Sequence, residues 1–352
     1  MKLAVVGGGP IGLFTAISLA NEGHVVDLYE LGEWPKDKAC GQGLMPSGMK
    51  LLKSLGIHFK ENQDCFPFKG INYKDGPHSL KGLLPRTGFG IERKVLSQKL
   101  YQKALEKKNI NLFSNSPVSN IYQNKDNVHF SVKDQLVSYD YVFSCDGLNS
   151  PLRKALDNRR VRNGTWRLGA REHFDIAPWN DSVEVYWCKG IEAYVTPVSA
   201  NRIEVAFLWF EDVNLPKMKL RDALFDCFPE LQDKLDDQNS LNDFKGHGPF
   251  CHQAKTEKVG RVYFLGDAYC FLDGITGEGI SLGFKGSKII TENFTKWSLL
   301  PRLKFKLLYL HYSLMVNFAL LLSYRKRIRR LIFGFFKSFP KGFDFLLKIN
   351  DL

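Results

Sequence analysis

Leu3-Ala4-Val5-Val6, then Gly7-Gly8-Gly9-Pro10-Ile11-Gly12, an apolar segment from Leu13 to Asn21, and Val25-Val26-Asp27-Leu28-Tyr29 closing on Glu30 together decide the fold. They read as strand, glycine turn, helix and second strand, a complete βαβ unit. Gly7 allows the tight turn, Gly9 lets the backbone approach a pyrophosphate, and Gly12 permits close packing of helix on strand. A phosphate then sits on the helix N-terminus. Glu30, about 20 residues on, is placed to accept hydrogen bonds from a ribose diol. Gly7, Gly9, Pro10, Ile11, Gly12 and Glu30 are therefore assigned to an adenine dinucleotide, and this unit alone does not separate NAD from FAD.

Far downstream, a short apolar strand Val262-Tyr263-Phe264-Leu265 ends in Gly266-Asp267, and Asp273-Gly274-Ile275-Thr276-Gly277-Glu278-Gly279-Ile280 opens a helix. An Asp in the first position can accept from a ribitol hydroxyl, and a glycine-rich helix N-terminus offers backbone N–H groups to the pyrimidine end of a flavin. A third strand, Tyr141 to Cys145, runs into Asp146-Gly147-Leu148-Asn149-Ser150-Pro151-Leu152-Arg153.

Over about residues 1–300 the chain resembles the flavoprotein hydroxylases and geranylgeranyl reductases that share the p-hydroxybenzoate hydroxylase type of FAD fold. The glycine turn with Glu30 looks like the ADP-binding motif of that family. Arg93, in Gly90-Ile91-Glu92-Arg93, looks like its FAD-contacting arginine. Asp146-Gly147 with Ser150 and Arg153 looks like its DG motif, and Gly266-Asp267 like its GD motif. Where the family usually has a proline near Asp273, this chain has Gly274. The resemblance implies FAD contacts at Arg93, Asp146, Gly147, Gly266, Asp267, Thr276, Gly277, Gly279 and Ile280. It also implies an α/β fold: a Rossmann-like FAD-binding domain with a mixed or antiparallel-sheet substrate domain and a helical C-terminal tail. The boundaries expected are 1–160 plus 255–300 for the FAD domain and 161–254 for the substrate domain. Residues 71–92 are open to either, and 301–352 form basic aromatic helices.

The glycine-rich stretch Cys40-Gly41-Gln42-Gly43 lets a flat ring approach the backbone. Similar stretches in the reductase branch lie beside the isoalloxazine, so Cys40, Gly41 and Gly43 are carried over as flavin neighbours. Cys40 is also a candidate catalytic thiol, against the alternative of a small buried hydrophobe. Ser182–Cys188, Glu192–Val198 and Arg202–Phe210 read as an antiparallel meander, and the continuous apolar run Ala206–Phe210 implies burial on both faces. In the resembled fold this sheet walls the flavin, and Tyr194 and Thr196, on one face by the two-residue period, are candidates to bond a substrate oxygen. His247 and His252 flank a loop just before the FAD strand. The histidines are scattered and no Ser/His/Asp grouping is present, as expected where a cofactor carries the redox step. No second glycine fingerprint is present, so NADH or NADPH is expected as a transient donor.

At 44% hydrophobic and 24% charged, 352 residues exclude a disordered or fibrous chain and allow about two domains. Seven cysteines without a CxxC pair, and no His cluster at ligand spacing, point to neither a disulfide framework nor a metal site. With no signal-peptide pattern, a cytoplasmic location is expected, with peripheral attachment to the inner face of a membrane as an extension. The net charge of +12 is lopsided. Residues 301–352 hold eleven of the 49 Lys/Arg and two of the 37 Asp/Glu, which leaves the body nearly neutral. Leu307 to Tyr324 is mostly apolar and is followed by Arg325-Lys326-Arg327-Ile328-Arg329-Arg330 and a Phe-rich segment. Three readings follow for this tail: contact with a membrane surface, a cover over the substrate cavity, or a span. Nucleic acid is disfavoured, because no recognised binding motif accompanies the charge.

The function expected is an FAD-dependent oxidoreductase, first a monooxygenase using reduced flavin and O2 on an apolar or aromatic substrate. Alternatives are reduction of C=C bonds in a lipid-like substrate, and a non-catalytic lipid-binding protein on the same scaffold, resembling the GDP-dissociation inhibitors. A flavin halogenase is disfavoured because the tryptophan-rich motif and paired lysine landmark of that family are not evident. The sequence leaves the oligomeric state open.

Overall fold

A computed structural model of the chain describes residues 1–160, 166–216, 219–235 and 239–351. Residues 161–165, 217, 218 and 236–238, within the expected substrate domain, and Leu352 lie outside the described set.

The opening βαβ unit forms as its residues dictate. The strand Lys2–Val6 is flanked by parallel strands Val25–Tyr29 and Tyr141–Ser144, and the sheet extends to Ile110–Phe113 on one side and Val262–Phe264 on the other. The helix begins at Pro10, three residues before the expected Leu13, with Gly9 as N-cap. Proline at the first helical position loses only an N–H that has no intrahelical acceptor, so the turn passes directly into helix. The helices Pro10–Asn21, Arg93–Leu105 and Gly279–Thr291 pack together against this sheet.

The second sheet has the order Lys245–His247, Arg167–Phe174, Arg202–Phe210, Ile191–Ser199, Ser182–Cys188, Phe66–Asp75, His78–Gly90 and Gly43–Leu44. The hairpin Phe66–Asp75/His78–Gly90 joins this sheet by parallel pairing with Ser182–Cys188, so residues 71–90 sit with the substrate strands. The glycine-loop residues Gly43 and Leu44 pair with Gly90 and Phe89. The Cys40–Gly43 loop is thus anchored to the second sheet by main-chain hydrogen bonds.

The sheet's two faces differ. Ile191, Ala193, Val195, Ile203, Val205, Phe207 and Trp209 alternate onto one face and pack against Leu224, Phe225, Phe228 and Leu231 of two short helices, Leu220–Phe225 and Pro229–Gln232. The opposite face carries Arg167, Arg171 and His173, Glu192, Tyr194 and Thr196, and Glu204, all placed together by the strand register. It faces the FAD-type domain: Thr196 reaches Gly41 and Tyr194 reaches Ile275. The apolar run 206–210 is buried on both sides as its composition implies.

The tail is three helices, Leu299–Tyr324, Lys326–Ser338 and Pro340–Asn350. Phe305 and Tyr309 of the first pack on Tyr269, with ring centroids 5.0 and 4.6 Å away, and Tyr312 shares hydrogen bonds with the backbone of Asp273. The other two helices close over Phe68, Ile71, Leu80, Val183 and Trp187 of the second sheet.

One buried group joins all three parts. Arg167 pairs with Glu192 on the neighbouring meander and with Asp273 at 3.2 Å, while Glu192 also accepts the hydroxyl of Ser323 from the tail. Arg167, Glu192 and Asp273 are each almost fully buried. Removing one partner of such a cluster strands a buried charge and costs about 3–5 kcal/mol. Arg167→Ala is therefore expected to lower the thermal midpoint by several degrees, measured by scanning calorimetry. Ala substitution of Lys255, whose ion pair with Asp157 is exposed, is expected to leave the midpoint almost unchanged.

Candidate functional site

The space between the two domains is bordered by three loops. At the first, Gly9 ends the strand turn and opens the helix. A Cβ on Gly9 would meet nothing closer than Arg93 Nη2 at 4.0 Å, whereas a Cβ on Gly7 or Gly12 would fall inside backbone atoms of Cys145 or of Gly7. Two glycines are thus required by packing and one faces open space. Glu30, buried at the end of the second strand, accepts from the Gly8 N–H at 2.6 Å and the Gly32 N–H at 3.0 Å and pairs with Lys36. Trp34 lies over Gly8, donates to its carbonyl at 2.8 Å and stacks on Tyr101. Lys36 and Trp34 carry no motif and escape sequence reasoning.

The second loop is Cys40–Gly43. No atom comes within 4 Å of a Cβ on Gly41, whose carbonyl accepts from Thr196 Oγ1 at 3.0 Å. Burial pushes the Cys40 thiol upward against the opposing field of Arg93, so it is protonated at neutral pH and poorly suited to act as a nucleophile. The third loop is Asp273–Glu278. Gly277 has φ +68° with nothing within 4 Å of its Cβ position, and the Ile275 carbonyl accepts from Tyr194 at 2.9 Å. Burial pushes Asp273 up to about 6 despite Arg167, and pushes Glu278 up to about 8.

Tyr194 and Thr196 do share one face, but each hydroxyl proton is directed at a backbone carbonyl. The structure gives them the task of tying the second and third loops to one strand, where the sequence reading had them facing a substrate oxygen. Asp146 likewise turns inward. Its carboxylate accepts from Ser144 Oγ at 2.6 Å, Ser150 Oγ at 2.8 Å and the Leu152 N–H at 3.2 Å, which builds the start of the helix Pro151–Ala155. Arg153 then donates to the carbonyls of Leu148, Asp267 and Ala268, holding the DG turn against the GD turn. Gly147 has φ +79° and open space at its Cβ position, and Gly266 has φ +54° beside Ile11. Asp267 is partly exposed, with Lys38 at 3.5 Å. Gly279 and Ile280 start the helix Gly279–Thr291.

The wall behind the second loop holds a polar cluster that sequence reasoning missed. His173 lies 2.8 Å from Asp243 and 3.0 Å from Gln42, and Arg171 pairs with Asp37 and Asp243. Glu204, fully buried, has neither carboxyl oxygen hydrogen-bonded, and burial raises it well above its ordinary value against the opposing field of Arg171. The segments that carry these residues lie far apart in the sequence and meet only in the folded chain. His252 bonds the Pro249 carbonyl at 3.2 Å.

These features fit a large dinucleotide. Gly9, Gly41 and Gly277 leave room where side chains would fill it, and the buried Arg93 Nε, Thr276 Oγ1 and Gln42 Nε2 have no partner in the protein. Gly9→Ala is expected to leave the melting temperature of the FAD-free protein within about 1 °C, because nothing clashes, while weakening FAD retention at least tenfold on gel filtration. Gly12→Ala is expected to lower both. His247 provides a pH test. Burial, with the field of Lys38 adding to it, depresses the imidazole to about 4. Below the ordinary value of 6.5 the unfolded chain takes up a proton that the folded chain refuses, so stability falls as the pH drops from about 6.5 to about 4. His247→Gln is expected to flatten that part of the stability–pH curve in chemical denaturation.

Comparison with known proteins agrees with this geometry. The FAD binding domain family model matches residues 1–287. Kynurenine 3-monooxygenase of Saccharomyces cerevisiae is 22% identical over 354 residues, covering 84% of this chain and 74% of its own. The flavin-dependent halogenase rdc2 of Metacordyceps chlamydosporia is 22% identical over 330 residues, covering 81% of this chain and 63% of its own. The structure of p-nitrophenol 4-monooxygenase PnpA from Pseudomonas putida superposes with a TM-score of 0.79 at 18% identity, over 99% of this chain and 98% of that one. With its glycine turn, its open cradle and its substrate sheet in place, this chain belongs to the FAD binding domain family, as an FAD-dependent oxidoreductase of the p-hydroxybenzoate hydroxylase superfamily.

Proposed function

We propose that this chain is a monooxygenase that hydroxylates a small aromatic or otherwise apolar molecule, with NADH or NADPH as a transient donor of electrons. The observation that carries this reading is the pair of open glycine positions, Gly41 and Gly277, on two loops held to one strand by Thr196 and Tyr194. Neither position carries a side chain that would block the approach of a flat ring, and the polar sheet face anchors both loops. The relatives named above include monooxygenases of kynurenine and of p-nitrophenol, which favours oxygen insertion over reduction of a double bond.

FAD, when bound and reduced, supplies the two-electron activation of O2. The chain supplies position and dryness. The backbone at Gly9 and the N-terminus of the helix Pro10–Asn21 would hold the phosphate charge, with Arg93 adjacent. Glu30 would accept from a ribose diol and Asp267 from the ribityl chain. Cys40 contributes a small neutral wall. Arg167, Glu192 and Asp273 close the end of the sheet next to the tail and exclude water from that side. Glu204, whose carboxyl oxygens have no hydrogen-bond partner among the described residues, offers hydrogen-bonding capacity behind the Cys40–Gly43 loop.

The test is direct. The purified protein is expected to be yellow and to release FAD. Asp267→Ala is expected to lower flavin occupancy several-fold, read from the ratio of visible to ultraviolet absorbance. A panel of aromatic acids, phenols and anilines is expected to include compounds that stimulate NAD(P)H oxidation and gain one oxygen atom from 18O2 by mass spectrometry. A halogenated product formed only when halide is present, or an alkene saturated without O2, would overturn the assignment.

A further inference from the structure

The helix Leu299–Tyr324 has a mean hydropathy of 1.4 over its most apolar 18 residues and is long enough to cross a bilayer. Its packing argues against crossing. Pro301, Phe305, Tyr309, Tyr312 and Val316 are buried against the body. Tyr312 donates to the Asp273 carbonyl at 2.9 Å, and Ser323 bonds Glu192. Moving the helix into a bilayer would strip those partners from the flavin-side loop and from the buried Arg167 cluster.

Among the described residues, nothing covers the opposite face. Leu300, Leu303, Leu307, Leu310, Leu314 and Leu321 are between 43% and 61% exposed. At about 100° per residue they fall within an arc of roughly 80°, about 170° from the centre of the buried face, and from first to last they extend about 30 Å. On the same wheel the exposed Lys304 and Lys306 lie just beyond the two borders of this arc. The next helix repeats the combination: Leu331 and Phe335 are 74% and 63% exposed, one turn apart, beside exposed Arg325, Lys326, Arg327 and Arg330.

We infer that the leucine face of Leu299–Tyr324 docks in the plane of an anionic lipid surface, with its cations among the headgroups and the enzyme body above it. Charge complementarity selects this occupant over a second copy of the chain. Leucines at alternating spacings of three and four suit a helix pair, yet two such copies would bring their basic rims together, whereas an anionic bilayer attracts them. An interfacial helix needs one apolar face and a polar boundary, and this helix has both while keeping its other face on the protein.

The test uses the full-length, FAD-loaded protein in flotation with vesicles of phosphatidylcholine alone or mixed with phosphatidylglycerol. The wild type is expected to float with the mixed vesicles and to be released by alkaline carbonate. The combined variant Leu303→Gln, Leu307→Gln, Leu310→Gln, Leu314→Gln is expected to bind at least about tenfold more weakly while keeping its flavin spectrum and melting temperature, because these side chains contact solvent. Lys304→Glu with Lys306→Glu is expected to abolish the preference for the anionic vesicles. No flotation of the wild type, or equal flotation of the leucine variant, would overturn the inference. So would resistance to carbonate, which marks a span, or a wild-type dimer in light scattering that the leucine variant converts to monomer, which marks a second copy as the occupant.

Discussion

Arg167 is the constraint on which the arrangement of this molecule depends. Burial works against its charge, and Glu192 and Asp273 hold that charge in place. Through those two carboxylates the first strand after the FAD-type half is locked to the meander, and both are locked to the loop that opens the helix Gly279–Thr291. Ser323 adds the tail to the same knot. A guanidinium held between two such carboxylates has few alternative positions in a low-dielectric interior, so two domains and a tail with little sequence continuity are held in one orientation.

That orientation gives the site its character. The FAD-type half contributes glycine turns, helix N-termini and the side-chain carboxylates of Glu30 and Asp267. The substrate sheet contributes one polar face, whose hydroxyls from Tyr194 and Thr196 are spent on holding loops. The loops between them remain open at Gly41 and Gly277 because no side chain fills those positions. Rigidity comes from the sheet and access from the glycines, which is the division of labour that preorganised cofactor sites require. Tying the Cys40–Gly43 loop into the sheet edge through Gly90 and Phe89 makes the same loop part of both domains.

Much of this was legible in the sequence. The βαβ unit and the strand Arg202–Phe210 follow from local periodicity and glycine chemistry, which act over a few residues, and the GD and DG turns from the family resemblance their residues carry. The functions of Asp146, Tyr194 and Thr196 were less legible, because a motif fixes where a residue stands and says little about which atom its side chain meets. The cluster of His173, Asp243, Arg171 and Glu204 was invisible, since its members approach only in the folded chain. The hairpin Phe66–Gly90 could be placed with either domain until its parallel pairing with Ser182–Cys188 was seen.

The tail divides the two kinds of information most clearly. By itself the sequence determined that residues 301–352 are apolar and basic and that the chain opens with a dinucleotide-type turn, because composition and short-range spacing are properties of the chain alone. Only the tertiary structure decided that one side of Leu299–Tyr324 is committed to Tyr269, Asp273 and Glu192 while the other keeps its leucines exposed. Hydropathy sums over all sides of a helix, whereas burial distinguishes them. That distinction turns an ambiguous apolar segment into a helix with one face on the enzyme and one face free.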